Sequence, residues 1–104
     1  MSDAFRAAAP VRLDFAGGWT DVPPFSTKEG GVVVSAAIGL CAHAEVRPGG
    51  SGLRLVAEDL DASVELADES ALTPDGPLAL LQAALRLLPI GPCALTTRSD
   101  APPG

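Results

Sequence analysis

Between Ala7 and Ala16 the chain alternates: Val11, Leu13 and Phe15 fall on one side and Arg12 and Asp14 on the other. That is the period of a strand with one buried face. The run Gly17-Gly18-Trp19-Thr20-Asp21-Val22-Pro23-Pro24 cannot extend it, because paired glycines favour special backbone angles and prolines lack amide donors. It predicts a loop of fixed shape. From Gly30-Gly31 a β-branched run, Val32-Val33-Val34, continues to Ile38, and after a break at Gly39 the segment 40–46 reads as a second strand. Both are expected to be buried.

Pro48-Gly49-Gly50-Ser51-Gly52 predicts a turn, after which Leu53, Leu55, Val64 and Leu66 alternate with polar residues on either side of Glu58-Asp59-Leu60-Asp61. The pattern is a hairpin with one wet face and an acidic turn. Pro77 suits the first turn of a helix, where its missing donor would be unpaired anyway, and Pro89 with Gly91 closes the segment after Leu88. Gln82 and Arg86, four apart, form its one polar stripe, so the rest of its surface should lie against a sheet. Cys93 to Thr97 predicts a last strand, with Arg98 to Gly104 leaving it as a loop. Several strands, one late helix and a return strand predict an α+β layer in which a mixed sheet packs on helix.

Composition supports a folded chain: 104 residues, 47% apolar, with a mean hydropathy of +0.29. Few of the apolar residues are aromatic, so the core must be built from small and branched side chains, and stability should be modest. The net charge of −6 is uneven: residues 1–57 hold five basic and five acidic side chains, and 58–104 hold two against eight. No basic stripe that would track a phosphate backbone is present, which argues against nucleic acid as a partner. Cys41 and Cys93 lack the count and spacing of a disulfide framework or zinc site and are expected as buried thiols. No apolar run is long enough to span a bilayer and no signal core follows the start, so the expectation is a cytoplasmic protein with no membrane partner.

A polyhydroxylated ligand needs several donors and acceptors at fixed distances, and backbone that can approach it closely. Gly17, Gly18, Trp19, Thr20 and Asp21 offer that set. The glycines expose amides, Thr20 and Asp21 can bond adjacent hydroxyls, and the indole of Trp19 presents an apolar face to a sugar ring. Arg12, from the preceding strand, can pair with Asp21 or with an anionic substituent of the substrate. Taken singly, a Gly-Gly turn is usually only a turn and a lone Trp usually core; it is the combination that points to a sugar.

The stretch from Ala9 through Ala16-Gly17-Gly18-Trp19-Thr20-Asp21-Val22-Pro23-Pro24 to Phe25, followed by Glu29-Gly30-Gly31 and the valine-rich strand, resembles the first motif of the GHMP kinases. Within them it is most similar to the branch of L-fucokinases and heptose 7-phosphate kinases. Ser99-Asp100-Ala101-Pro102-Pro103-Gly104 is similar to the opening of that superfamily's second motif, which in relatives continues into a glycine- and serine-rich segment around the ATP phosphates. The resemblance implies a truncated N-terminal domain of the ribosomal protein S5 domain 2-like type over residues 1–104, with the ATP-phosphate loop beyond Gly104 and the C-terminal domain absent. It implies sugar or sugar-phosphate contacts from Arg12, Gly17, Gly18, Trp19, Thr20 and Asp21, and the beginning of ATP binding at Pro103 and Gly104. ATP and Mg²⁺ would serve the complete enzyme and neither would bind well to this chain alone. No metal ligand and no catalytic residue is assigned, because relatives place the acidic catalytic group further downstream; Asp21 is a substrate ligand in that pattern. The chain is thus expected to be a sugar-kinase fragment, inactive by itself and prone to self-association. The competing reading is a non-catalytic sugar-binding or assembly module.

His43, between Ala42 and Ala44, is expected to be structural or surface-facing, since no nucleophile or paired ligand stands near it in sequence. The acidic turn at 58–61 lacks the spacing of a calcium loop. Gly49 to Gly52 lies between two expected strands with no helix or lysine after it, which separates it from a phosphate-binding loop.

Overall fold

The computed structural model describes residues 3–73 and 75–102. Five strands form one mixed sheet in the order β1-β2-β5-β3-β4, with β1 spanning Phe5–Ala16, β2 Val34–Pro48, β3 Leu53–Ala57, β4 Ala62–Leu66 and β5 Cys93–Ser99. All neighbours are antiparallel except β3 and β5, which run parallel in a register that sets Leu53 beside Cys93 and Ala57 beside Thr97. The parallel pair requires a long crossover. It is made by β4 and by helix α2, Ala79–Leu87, after which β5 inserts between β2 and β3. A short helix, α1, Phe25–Lys28, follows the Gly-rich loop. The expected mixed sheet on helix is therefore observed.

The core is small and lies at one end of the sheet. Leu53, Leu55, Cys93 and Leu95 from the parallel pair meet Leu72 and Leu85, with Ala44, Val46, Val64, Leu66, Leu78 and Leu81 packed around them. Alternation explains this set: in β3, Leu53, Leu55 and Ala57 are buried while Arg54 is exposed. The expected hairpin with one wet face is this one, and its acidic turn is a 3-10 turn closed by Asp61 at φ 49°.

Five expectations need correction. The strands read on either side of Gly39 are one strand, β2, because Ile38, Gly39 and Leu40 stand opposite the single Val11 as an irregularity of the ladder rather than a break. Neither β2 nor β1 is buried: β1 is exposed throughout except at half-buried Val11, and β2 is half-buried only at Ile38, Cys41, His43, Ala44, Glu45, Val46 and Pro48. The helix begins at Ala79, not Pro77; Leu78 precedes it in a left-handed conformation at φ 54°. Gln82 is not part of a wet stripe but is 1% exposed, its Nε2 donating to the Pro77 carbonyl at 2.7 Å and its Oε1 accepting from the Thr73 amide at 2.8 Å. β5 also runs two residues further than expected, through Ser99. Cys93 is buried and Cys41 half-buried; both are free thiols, and burial, with Glu69 adding to it, pushes the Cys93 thiol up.

Candidate functional site

Residues 17–24 form a turn held by the hydroxyl of Thr20. The Thr20 amide donates to the Gly17 carbonyl at 3.1 Å and its Oγ1 lies 2.6 Å from the same oxygen. On its other side Oγ1 accepts from the Val32 amide at 3.1 Å and lies 3.1 Å from the Val32 carbonyl. Thr20 thereby ties the loop to the segment that leads into β2. The tie is close enough to require glycine twice. A Cβ at Gly17, which has φ 86°, would stand 1.9 Å from the Val32 carbonyl oxygen, and one at Gly31 would stand 1.9 Å from that of Thr20. At Gly18 the nearest atom to such a Cβ would be an Asp14 carboxylate oxygen at 3.9 Å, so the space above Gly18 is open.

The two residues flanking Thr20 are turned outward. Trp19 is 78% exposed and adopts φ 73°, a conformation that costs a bulky residue about 1 to 3 kcal/mol and persists only where neighbours enforce it. Here the Gly17 to Thr20 turn and the Val22 amide bonded to the Trp19 carbonyl enforce it. The indole borders an open, mostly apolar cavity of about 610 Å³ with Val22, Pro23, Pro24, Phe25 and the rim residues Lys28 and Glu29. Asp21 is exposed and makes no hydrogen bond or ion pair with the described residues. Arg12 does not reach it: its Nε pairs with Asp14 Oδ1 at 3.1 Å, its neighbour two positions along the same strand face. The loop thus brings Trp19 to the apolar cavity, while Arg12, Gly18 and Asp21 do not line it.

A second cluster lies where β5 ends. The Asp100 carboxylate accepts from the Cys41 amide at 3.0 Å, from His43 Nε2 at 3.0 Å and from Arg98 Nη1 at 2.8 Å, and the Asp100 amide donates to the Cys41 carbonyl at 2.9 Å. The His43 bond, then the Cys41 amide, hold this carboxyl down from the usual 3.8 to about 2. A depressed carboxyl contributes stability above its unfolded value that is lost only as pH falls towards about 2, so the cluster is intact at neutral pH. An ionised carboxylate only accepts, which places the ring proton of His43 on Nε2. Of the two expectations for His43, structural or surface-facing, the structural one is met: it is tied to a partner 57 residues away that no spacing rule could have supplied.

Among the described residues no three His, Cys, Asp or Glu side chains converge to hold a metal, and no helix is long and apolar enough to cross a membrane. Pro103 and Gly104, assigned by resemblance to the ATP side, lie outside the described residues.

The mixed sheet with one crossover helix, its Gly-Gly-Trp-Thr-Asp loop fastened to the segment that leads into the longest strand, resembles the fold of solved sugar kinases. No protein-family model matches the chain. It is 62% identical over 32 residues to the L-fucokinase/L-fucose-1-P guanylyltransferase of Bacteroides fragilis, and 55% identical over 35 residues to the bifunctional fucokinase/GDP-fucose pyrophosphorylase of Arabidopsis thaliana. Those stretches cover 31% and 34% of this chain and 3% of each relative. Among solved structures, a D-glycero-D-manno-heptose 1-phosphate kinase from Bacteroides thetaiotaomicron matches 95% of the chain with a TM-score of 0.80 and 30% identity. A candidate sugar kinase from Campylobacter jejuni matches 99% with a TM-score of 0.74 and 25% identity. The chain is related to the GHMP-type sugar kinases, and spans 35% of the length of each of these two structures.

Proposed function

We propose that the chain supplies the acceptor side of an ATP-dependent sugar kinase, as an N-terminal part of a ribosomal protein S5 domain 2-like domain. The observation that carries this is the fit of nearly the whole chain to the heptose kinase at 30% identity, beside the fucokinase identities. In this reading Trp19 lies against the apolar face of a sugar and Asp21, left without a partner by the fold, accepts from its hydroxyls. The open space above Gly18 admits the ligand to backbone amides, and Thr20 acts by holding these residues in place. Arg12, paired with Asp14, is available to an anionic substituent through its remaining donors. The substrate class is a sugar or sugar phosphate of the fucose or heptose kind, and the protein works in the cytoplasm.

ATP and Mg²⁺ belong to the complete enzyme. Phosphoryl transfer requires donor, metal and acceptor oxygen held nearly in line, and in this reading the chain supplies only the acceptor side. The chain by itself is therefore inactive. The test is titration of the chain with L-fucose and with heptose phosphates, followed by calorimetry. Asp21→Ala is expected to weaken sugar binding by about 2 to 3 kcal/mol, the worth of hydrogen bonds to a charged group. Equal affinity in the variant and the wild type would refute the assignment.

A further inference from the structure

The residues around Trp19 divide by polarity. With the indole, Val22, Pro23, Pro24 and Phe25 wall an apolar space of about 610 Å³, within the range of sites that enclose a small molecule. Val22 is half-buried and Phe25 is 49% exposed, so the wall is open to a ligand from solvent. The polar groups stand elsewhere: Asp21 and Gly18 lie outside the cavity, and Arg12 is paired with Asp14. Charge reaches the rim only at Lys28 and Glu29, neighbours of opposite sign that leave it neutral on balance. The wall is also held in shape. The Ser26 amide donates to the Val22 carbonyl at 3.1 Å, the Lys28 amide to that of Pro24 at 3.2 Å and the Glu29 amide to that of Phe25 at 2.8 Å.

A phosphate ester is a poor match for this surface. It carries about −1.5 to −2 charges at neutral pH, and one lysine beside a glutamate offers it neither net positive charge nor a bidentate donor. A hydroxymethyl arm fares little better, because a hydroxyl that leaves water must find a partner and the valine, proline and phenylalanine side chains offer none. An apolar carbon loses nothing there. We infer that the cavity is the subsite for a deoxy carbon of the sugar, that the acceptor is therefore a 6-deoxy sugar, and that Val22 and Phe25 determine this specificity. The inference rests on the acceptor-side reading above and adds a division of labour to it. Hydroxyls turn towards Asp21 and the backbone at Gly18, and the methyl group turns away from them into the wall. Trp19 stands at the boundary, where its indole meets the apolar face of the ring.

The experiment titrates the chain with sugars that differ at a single carbon: L-fucose, L-galactose, which adds a hydroxyl to the fucose methyl, and D-arabinose, which lacks that carbon. L-fucose is expected to bind about fourfold more tightly than D-arabinose, the worth of burying one methyl group. Its advantage over L-galactose should be about ten- to a hundredfold, as far as an apolar pocket can reject an added hydroxyl. Val22→Thr keeps the volume and puts a hydroxyl in the wall, so the preference over L-galactose should shrink to within about threefold while D-arabinose binds as before. A merely structural role for Val22 would weaken all three sugars alike. In saturation-transfer NMR the methyl protons of L-fucose should take up more magnetisation from the protein than its ring protons. Equal affinity for L-fucose and L-galactose, tighter binding of heptose 7-phosphate than of L-fucose, or unchanged ratios in Val22→Thr would each overturn the proposal. So would amide shifts of residues 22–29 that move with protein concentration and not with L-fucose, since the wall would then face a second copy of the chain. Failure of the acceptor-side reading looks different: affinity for L-fucose would be the same in Asp21→Ala as in the wild type, even where the preference for the methyl group holds.

Discussion

Gly17 and Gly31 are needed for contact, not for conformational freedom alone: each gives up its side chain so that one stretch of backbone can lie on another. Sequence reading marks the Gly-Gly-Trp-Thr-Asp run as special but assigns all of it to the ligand. It marks Gly31 only as the head of the valine-rich run, not as a contact with Thr20, because a close approach between segments a dozen residues apart leaves no local pattern. Thr20 was legible as a polar group and not as a fastener, for the same reason. Gly31→Ala should therefore disorder the loop, since its Cβ would sit 1.9 Å from a backbone oxygen, while Gly18→Ala, with 3.9 Å of clearance, should leave the loop in place. Amide chemical shifts of residues 17–33 in the two variants check this: wild-type-like shifts for Gly31→Ala would contradict the packing argument. Asp100 belongs to the same class of residue. Its likeness to a motif was visible in sequence; its bond to His43 was not.

Among the elements, the β3-β4 hairpin and β5 were the most legible, because strict alternation over a short span has one folding solution when one face is buried. Helix α2 shows where periodicity misleads. Gln82 and Arg86 share a face by spacing, yet Gln82 turns inward to bond Thr73 and Pro77, doing for the irregular segment before the helix what a cap does for a helix end. Periodicity counts a polar residue as wet; only the three-dimensional course of residues 73–78 shows two backbone groups that need it. Gln82→Leu would leave the Thr73 amide and the Pro77 carbonyl without this partner in a largely buried position, at about 1 to 3 kcal/mol for each group that finds no water. Urea denaturation is expected to show the corresponding fall in midpoint. A midpoint equal to wild type would mean that solvent replaces the amide. The continuity of β2 through Gly39 was equally hidden, since a glycine marks an irregularity and a break in the same way.

The whole molecule measures 49 × 30 × 22 Å with a radius of gyration of 16.8 Å, against about 13 Å for a compact chain of this length. The excess is the β1-β2 ribbon, which reaches beyond the core and leaves Phe5, Leu13, Phe15 and Val34 exposed, as are Leu80 and Leu87 on α2 and Leu88 just after it. Apolar surface and an uncovered edge strand favour association. Sedimentation velocity is expected to show mass rising with concentration, and a single species of constant mass over a hundredfold range would count against it. The overall layering was legible because element order and type limit the layers; the lopsided core was not, because alternation in β1 and β2 reads as burial whether or not anything covers them. That lopsidedness separates two thermodynamic units. Trp19, the single tryptophan, sits on the ribbon's loop, while the apolar contacts that resist unfolding lie around Leu55. A fluorescence melt of this protein would report the fraying of the loop and stay silent about the core, and a sugar that steadied the loop could brighten or shift that signal without moving the global transition at all.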